Sequence, residues 1–260
     1  MSAGASAAAV LAMVLSTIQQ AADSTFWDRG DGRLAIAATA AVGTLAIFDE
    51  RIARWIREPS VQGDSGRRDL IESLTTVNEV PLTLAAVATY GIGRLAKSHT
   101  ITDVGLHLTT SLVATEVVSE VARVAISRMR PRASEDDAFE FSPGEGLAAF
   151  EYRSFPSMHA AVAFATASVL TEELRVRKAR SRRVVIPLLY AAATIPGFTR
   201  LYLDQHWASD VLAGSIVGAF IGSRVVRYSH ARRTRVDRWL LRPWIAHDGV
   251  MPIVGITLTR

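Results

Sequence analysis

The stretch Arg123-Val-Ala-Ile-Ser-Arg-Met-Arg-Pro131 closes the mainly apolar block Ile101–Ile126. A block of this length and composition predicts a helix long enough to cross a membrane. Arg123 and Arg130 stand seven positions apart, about two helical turns, so a continuous helix would carry both on one face. Because Pro131 disfavours helical backbone in the residue before it, Arg130 is released toward a loop. The stretch therefore predicts a helix end where two arginines grip one anion.

Six further apolar blocks lie along the chain, separated by charged residues. Most are rich in alanine and favour helix. A membrane-spanning helix needs roughly 20 apolar residues, and several blocks are shorter unless flanking side chains reach the interface. The pattern predicts an all-α fold, a six-helix membrane-embedded bundle with an extra N-terminal hydrophobic segment; a soluble bundle with apolar core helices is the alternative. The six are Ala7–Ile18, Leu34–Phe48, Val80–Leu95, Met158–Leu170, Val184–Phe198 and Ala208–Val226.

The composition narrows the chemistry that the chain can perform. Its 260 residues suit one domain. The sequence contains no cysteine, which excludes disulfide bonds, a thiol nucleophile and a zinc–thiolate site. A mean hydropathy of +0.21 is higher than an ordinary soluble domain needs. Any catalysis must therefore use groups other than thiols.

The basic residues are distributed as in the inner loops of a membrane protein. Arg175–Arg183 is a basic run between two apolar blocks, and more arginines follow the last block. By the positive-inside rule both lie on the cytoplasmic side. Alternating helices then place Gly93–Ser98 inside as well and Pro131–Pro156 on the opposite face, so that six helices have both ends inside. We therefore assign the net charge of +4 to membrane topology and expect no nucleic-acid partner.

Two more polar clusters lie at that outer face. Ser154-Phe-Pro-Ser-Met-His159 carries a capping serine and a first-turn proline ahead of an apolar run, which predicts a helix start. Free N–H groups and the positive dipole end make such a start an anion site. Downstream, Thr199-Arg200 precedes His206 and Asp210. The four-residue spacing lets the carboxylate hold one imidazole nitrogen and leave the other basic.

Each cluster also has a plain structural explanation. Arg123 can complement the helix dipole or pair with Glu120 three residues earlier. The second cluster can be an ordinary helix cap, and His206 with Asp210 can be a surface hydrogen-bonded pair. Random helix packing does not require three separated clusters to share one end. Their shared face therefore favours a phosphate-handling site, because arginine matches phosphate oxygens and histidine serves as nucleophile or proton donor.

The three clusters together resemble the signature motifs of the type-2 phosphatidic acid phosphatase and vanadium haloperoxidase superfamily, in its membrane lipid phosphatase branch. The matching motifs are Arg123-x6-Arg130-Pro131, Pro156-Ser157-Met158-His159 and Thr199-Arg200-x5-His206-x3-Asp210. Their order and internal spacing agree with the family, and the signature covers about 90 residues of the chain. Because three motifs match jointly, the signal is specific.

The resemblance implies a metal-independent hydrolase of phosphomonoesters or diphosphates, with no cofactor. The match to His206 attacks phosphorus to form a phosphohistidine, and the match to Asp210 orients it. The match to His159 protonates the leaving group and later activates water. Five positions are implied to bind phosphate, through side chains or backbone N–H groups: Arg123, Arg130, Ser157, Met158 and Arg200.

Three positions depart from the family pattern. Arg123 replaces lysine, which keeps the charge but changes reach and hydrogen-bond geometry. Met158 replaces glycine, which adds a side chain beside the phosphate cradle and removes access to positive φ. Thr199 replaces serine and keeps a hydroxyl. We interpret these changes as a divergent substrate pocket rather than a dead enzyme.

The expected partners are the bilayer and a lipid phosphate that enters sideways from the leaflet. Undecaprenyl diphosphate, phosphatidic acid, phosphatidylglycerophosphate and lipid A phosphates all fit, and the sequence does not rank them or give an oligomeric state. The expected location is the cell membrane, multi-pass, with the active site on the extracytoplasmic, periplasmic side. The alternatives are a vanadate-dependent haloperoxidase and a non-catalytic lipid-binding membrane protein with a relic site.

The expected organisation has three parts. Residues 1–30 form an N-terminal hydrophobic segment, anchor or signal-like, although it lacks a basic leading region. Residues 31–230 form the phosphatidic acid phosphatase type 2 domain, with signature motifs at 123–210. Residues 231–260 form a basic C-terminal tail. The segment Asp49–Asp69 has an amphipathic composition and is expected to lie at the interface, without a catalytic role.

Overall fold

The computed structural model describes residues 28, 30–75, 78–134, 136–231, 243–247 and 252–256, the last two ranges for their backbone alone. Helices dominate these residues, and two short 3₁₀ turns, Glu145–Leu147 and Phe150–Tyr152, lie in the loop after α6. The helices are α1 (Asp31–Ala46), α2 (Asp49–Arg57), α3 (Pro59–Gln62), α4 (Ser65–Leu74), α5 (Glu79–Leu95), α6 (His99–Ile126), α7 (Met158–Val176), α8 (Arg182–Tyr202) and α9 (Ala208–Ala231).

The predicted all-α fold is confirmed. Each of the six apolar blocks from Leu34 onward coincides with one long helix, and the helices extend up to six residues beyond the blocks. The additional block Ala7–Ile18 lies outside the described residues. Near the C-terminus two short strands, β1 (Pro243–His247) and β2 (Pro252–Ile256), pair antiparallel, with Pro243 opposite Ile256.

The expectation that Arg123 and Arg130 share one helical face is wrong. Helix α6 ends at Ile126 because Ser127 takes a left-handed backbone conformation with φ of 45°. Its hydroxyl donates to the Val124 carbonyl at 2.8 Å and accepts the Gly146 N–H at 2.9 Å, which joins the helix end to the following loop. The chain therefore turns three residues before Arg130, and Arg123 alone stays on the helix.

Helices α6, α7 and α9 form the centre of the bundle, and small residues set the spacing of two of them. Gly214, Gly218 and Gly222 recur every four residues along α9, where a Cβ would collide with the carbonyl groups of Ser157, Ala161 and Ala165. Glycine at this period lets two helix backbones approach directly. The start of α7 is thereby pressed against the first turns of α9.

The bundle is apolar outside and partly polar inside. Ile36 on α1 is 73% exposed and Leu95 on α5 is 82% exposed, whereas Ser111, Thr115 and Ser119 inside α6 are fully buried. Among the described residues, α8 and α9 are long and apolar enough to cross a membrane, and α1 with α2 adds a third span if that bent pair counts as one. Apolar outer helix faces with buried hydroxyls identify a membrane protein. The full count of six spanning helices stays a prediction.

Substituting Gly218→Ala will destabilise the bundle, because the new Cβ overlaps the Ala161 carbonyl and forces α7 and α9 apart. We expect a loss of roughly 1–3 kcal/mol, the usual cost of overpacking, measured as a lower thermal unfolding midpoint in detergent. Gly43→Ala on α1 is the matched control, since a Cβ there meets nothing within 4 Å. Equal midpoints for both variants would contradict the close contact.

Candidate active site

The three polar clusters meet at one end of the bundle. The Ser157 N–H donates to the Asp210 carbonyl at 3.0 Å, which joins the second cluster to the third. Arg123 Nε donates to the Pro156 carbonyl at 3.2 Å, which joins the first cluster to the second. A cis peptide joins Phe155 to Pro156 at this junction. The expected convergence is therefore present in the structure.

His206 is buried in the short loop between α8 and α9 with a fixed ring. Its Nδ1 lies 2.6 Å from the main-chain carbonyl of Ser154. A carbonyl only accepts, so Nδ1 carries the proton and Nε2 keeps its lone pair. Burial, followed by the positive charges of Arg130, Arg123 and Arg200, holds the pKa of His206 well below its usual range. The ring is therefore neutral and its Nε2 is unprotonated, as a nucleophile requires.

Asp210 does not bond the imidazole directly, contrary to the spacing argument. Its Oδ2 lies 3.9 Å from His206 Nδ1, because α9 begins at Ala208 and His206 stands outside the helix. The carboxylate instead accepts the Trp207 N–H at 2.9 Å and the Ser154 hydroxyl at 2.5 Å. An acid at the third helical position that reaches back to the N-cap N–H is one half of a capping box. Asp210 thus fixes both chain segments that hold the ring.

A buried arginine that the sequence analysis did not single out organises the site. Arg128 donates to Asp210 at 2.7 Å and to Asp49 at 2.8 Å, and its remaining N–H groups reach the Ala138 carbonyl and the Ser209 hydroxyl. Asp49 at the start of α2 also accepts the Ser209 N–H at 2.9 Å. Arg128 lies inside the first motif, between its two arginines, whereas no local pattern marks Asp49.

Arg130, one of the arginines predicted to bind phosphate, already donates several hydrogen bonds within the protein. Arg130 is committed to the carbonyls of Phe150, Gln205 and Arg153, and its guanidinium lies 4.3 Å from the Phe150 ring centroid. Burial and the neighbouring cations Arg123, Arg132 and Arg200 lower the pKa of Arg130 to about 9. Cations crowded this closely repel one another, so an anion among them is stabilising.

Several buried polar atoms around this end have no hydrogen-bond partner among the described residues. Buried polar groups are normally paired, and leaving one unpaired costs on the order of 1–3 kcal/mol. Most of these atoms are donors or can become donors, and Arg200 and His159 lie close enough to His206 to act on it electrostatically. The set suits an anion with several acceptor oxygens. Its members are Ser157 Oγ, His159 Nδ1, Arg200 Nε, Arg153 Nε and Glu79 Oε2.

The replacement of glycine by methionine at position 158 does not strain the cradle. The first residue of α7 is Met158, a residue without positive φ, so its backbone does not need glycine. Its side chain is buried in a core cluster with Leu108, Leu112 and Val162, away from the polar groups. Thr199 uses its hydroxyl within its own helix, where it donates to the Pro196 carbonyl at 2.8 Å.

A metal-ligand set occurs elsewhere among the described residues. Glu173 on α7 accepts from His107 Nδ1 at 2.6 Å and from His230 Nε2 at 3.0 Å, so these three groups are close enough to share an ion. Arg177 holds the other carboxylate oxygen at 2.9 Å. These residues lie at the opposite ends of α6, α7 and α9 from the phosphate-binding candidates. The network joins three helices, and we assign it no chemical step.

The amphipathic segment reaches over the site more closely than expected. Arg57 at the end of α2 pairs with Asp136 and Asp204 and donates to the Pro131 carbonyl at 2.8 Å. It thereby joins the loop after the first motif, at Asp136, to the loop that carries His206. The segment contributes structural contacts to the site, and the sequence alone did not indicate them.

Comparison with known proteins gives one family. The sequence model of the PAP2 superfamily matches residues 104–234, about half of the chain. A lipid A 1-phosphatase of Rhizobium etli is 33% identical over 121 residues, 45% of this chain and 47% of the relative. One of Rhizobium johnstonii is 32% identical over 121 residues, 45% of this chain and 44% of that protein. The match thus spans about half the length of these curated relatives.

A solved structure has a similar fold. The transmembrane PAP2 type phosphatidylglycerolphosphate phosphatase from Bacillus subtilis superposes with a TM-score of 0.52, covering 77% of this chain and 98% of that chain. Sequence identity between the two is 18%, so the likeness concerns the fold.

Replacing Asp49 with Asn will destabilise the protein, because Arg128 and Ser209 lose the carboxylate that accepts their hydrogen bonds, although Asp210 still pairs with Arg128. Leaving buried donors unpaired costs on the order of 1–3 kcal/mol, which a lower unfolding midpoint in detergent would report. The control is Glu72→Gln, since Glu72 pairs with Arg68 at the surface where each side chain is about half exposed, and such pairs contribute about 0–1 kcal/mol. A midpoint unchanged in Asp49→Asn would contradict the role of this network.

Proposed function

Because the chain belongs to the PAP2 superfamily, we propose that it hydrolyses a lipid phosphate or diphosphate through a phosphohistidine intermediate, without a metal ion. The observation that carries the proposal is the buried ring of His206, whose Nδ1 donates to the Ser154 carbonyl, at the same end of the bundle as a group of unpaired donors. A nucleophile together with unpaired donors for an anion suits transfer of a phosphoryl group. The type 2 phosphatase domain is proposed to span residues 31–230.

The first step transfers the phosphoryl group to the protein. His206 Nε2 attacks phosphorus as the bond from phosphorus to the leaving oxygen breaks. His159 gives its proton to that oxygen, so an alcohol or a phosphate departs without a full negative charge. Arg123, Arg130 and Arg200 stabilise the charge on the equatorial oxygens, assisted by the Ser157 hydroxyl and the N–H groups at the start of α7, that of Met158 among them.

The second step returns the protein to its starting state. His159, now neutral, takes a proton from water, whose oxygen attacks the phosphorus held on His206. The bond between Nε2 and phosphorus breaks and inorganic phosphate leaves. Asp210 acts through Ser154 and Trp207, which keep the imidazole in one orientation in both steps. Replacing Asp210 would therefore lower kcat by loosening His206.

The apolar outer surface supports a site that is reached from the lipid leaflet. We propose a multi-pass protein of the cell membrane whose active site faces the extracytoplasmic side, since the basic run Arg175–Arg183 lies at the other end of α7. A lipid headgroup can then enter between helices while its chains stay in the bilayer. The named relatives are lipid A 1-phosphatases, so lipid A 1-phosphate joins the substrates to be tested.

The test is release of inorganic phosphate by protein purified in detergent, with EDTA, across lipid mono- and diphosphates. We expect turnover that resists EDTA and falls at least about a thousandfold in His206→Ala and His159→Ala, as for removal of a nucleophile or general acid. His99→Ala, a histidine at the inner end of α6, is the control and keeps its activity. Acid-labile, base-stable ³²P label that His206→Ala abolishes would identify the intermediate.

Three results would overturn this function. Turnover that EDTA abolishes would contradict independence from metal. Halide oxidation that requires vanadate, without phosphate release, would favour the haloperoxidase alternative. Lipid binding without any release would favour the relic site.

The pH dependence of kcat/KM gives a second test, because His206 must be neutral to attack. We expect activity to persist below the usual histidine pKa near 6.5, since burial and the arginines disfavour protonation of His206. Arg200→Gln removes a positive charge and moves the acid limb to higher pH, whereas Arg200→Lys keeps the charge and leaves the limb in place. The ionisation of the substrate is the same for all three proteins, so it does not contribute to a difference between their acid limbs. Identical limbs in all three would contradict the electrostatic account.

A further inference from the structure

Glu79, the first residue of α5, faces the histidine that the proposed function uses as its proton donor. Glu79 Oε2 and His159 Nδ1 are both buried and both lack a hydrogen-bond partner among the described residues. They lie 3.7 Å apart. An acceptor and a donor at this separation form a hydrogen bond once the distance between them shortens by about 0.7 Å. A small side-chain rotation on substrate binding therefore suffices.

The helix start holds Glu79 in place. Asn78 caps α5 by accepting the Val80 N–H with its side chain, which fixes the first turn. One turn on, Thr83 donates to Glu116 at 2.7 Å and ties α5 to α6. Glu116 is thereby committed to a hydroxyl, whereas one oxygen of Glu79 stays unpaired. This carboxylate is aimed at His159 and held by its helix.

The charges around His159 create a need for such a carboxylate. Burial disfavours a charged ring, Arg200, Arg123 and Arg130 lie close enough to add to this effect, and Glu79 is of opposite sign. Positive neighbours disfavour the imidazolium, whereas a carboxylate beside the ring favours it. A general acid must carry its proton before the leaving group departs. Without such a carboxylate, the arginines proposed to bind phosphate would favour the loss of this proton from His159.

We propose that Glu79 is the positioning residue of His159: its carboxylate accepts the Nδ1–H and directs Nε2–H to the leaving oxygen. This inference rests on the proposed function and adds a second histidine–carboxylate pair to it. The proton that leaves Nε2 ends on the departing alcohol or phosphate, and Nε2 later regains one from water. Glu79 keeps its charge throughout and contacts neither phosphorus nor the leaving group. Nothing in the three sequence motifs indicates this residue.

Substrates with different leaving groups distinguish a positioning role of Glu79 from a purely structural role. A lipid alcohol is a poor leaving group that needs a proton, whereas p-nitrophenolate departs readily without one. Weakening the acid must therefore slow lipid phosphate hydrolysis far more than p-nitrophenyl phosphate hydrolysis. A distorted site would slow both substrates to the same extent, since both need the nucleophile and the arginines.

The experiment compares kcat/KM for the preferred lipid phosphate and for p-nitrophenyl phosphate, because this ratio covers the steps up to departure of the leaving group and excludes the later attack of water. We expect Glu79→Gln to lose about 30- to 100-fold on the lipid, less than the roughly 10²–10⁴-fold of complete loss of acid catalysis, and about threefold or less on the aryl ester. His159→Ala should show the same selectivity, and the double variant no further loss. Glu79→Asp should recover part of the lipid rate. Glu116→Gln, next to it on α6, should slow neither substrate more than about twofold.

The outcomes are distinguishable. Equal losses on both substrates in Glu79→Gln, or additive losses in the double variant, would overturn the positioning role and leave the proposed function intact. Wild-type rates in Glu79→Gln would overturn it as well. A wild-type protein that releases no phosphate, or a fully active His206→Ala, would overturn the proposed function, and the role of Glu79 with it.

Discussion

One guanidinium ties the active site to the rest of the molecule. Arg128 lies buried between Asp49 and Asp210, two carboxylates separated by 161 positions. Charges out of water are stable only when paired and fully hydrogen-bonded, and this group meets both conditions. Asp210 can then hold Ser154 and Trp207, which flank His206. The orientation of the proposed nucleophile, His206, therefore depends on an amphipathic helix that precedes every motif.

The site divides its polar groups into those that build it and those that remain free. Arg128 and Arg130 donate to carboxylates and carbonyls, so they fix loops, and Arg130 also supplies positive charge for the proposed phosphate site. Arg200 Nε and Ser157 Oγ stay unpaired and buried. Preorganised donors of this kind stabilise charge without rearrangement during the reaction. Crowded cations also keep His206 neutral, while Glu79 opposes the same effect at His159. Two histidines in one cradle can thus serve as nucleophile and acid.

Much of the site was predictable because its signals are local. The Pro-Ser-Met-His start of α7 follows from a serine and proline before an apolar run, and all eight candidate residues come to one end of the bundle. Their chemical roles stay predictions. Two predictions are wrong for the same reason, because each treats the spacing between two residues as one continuous helix. Ser127 ends α6 before Arg130, and α9 starts after His206, so neither pair shares a helical face. A single residue with left-handed backbone ends a helix, so residues on its two sides no longer share a helical face.

The sequence by itself determined the helices, the family and the chemical groups, because apolar periodicity and motif spacing involve residues that are close together along the chain. Packing decided which atoms those groups touch. The glycines at 214, 218 and 222 bring α9 against α7, and this contact brings Asp210 to Ser154 rather than to the imidazole. Asp49, Arg57 and Glu79 lie far from the motifs along the chain and approach them only in space. Hydrogen bonds act over about 3 Å, so such partners follow from the tertiary structure alone.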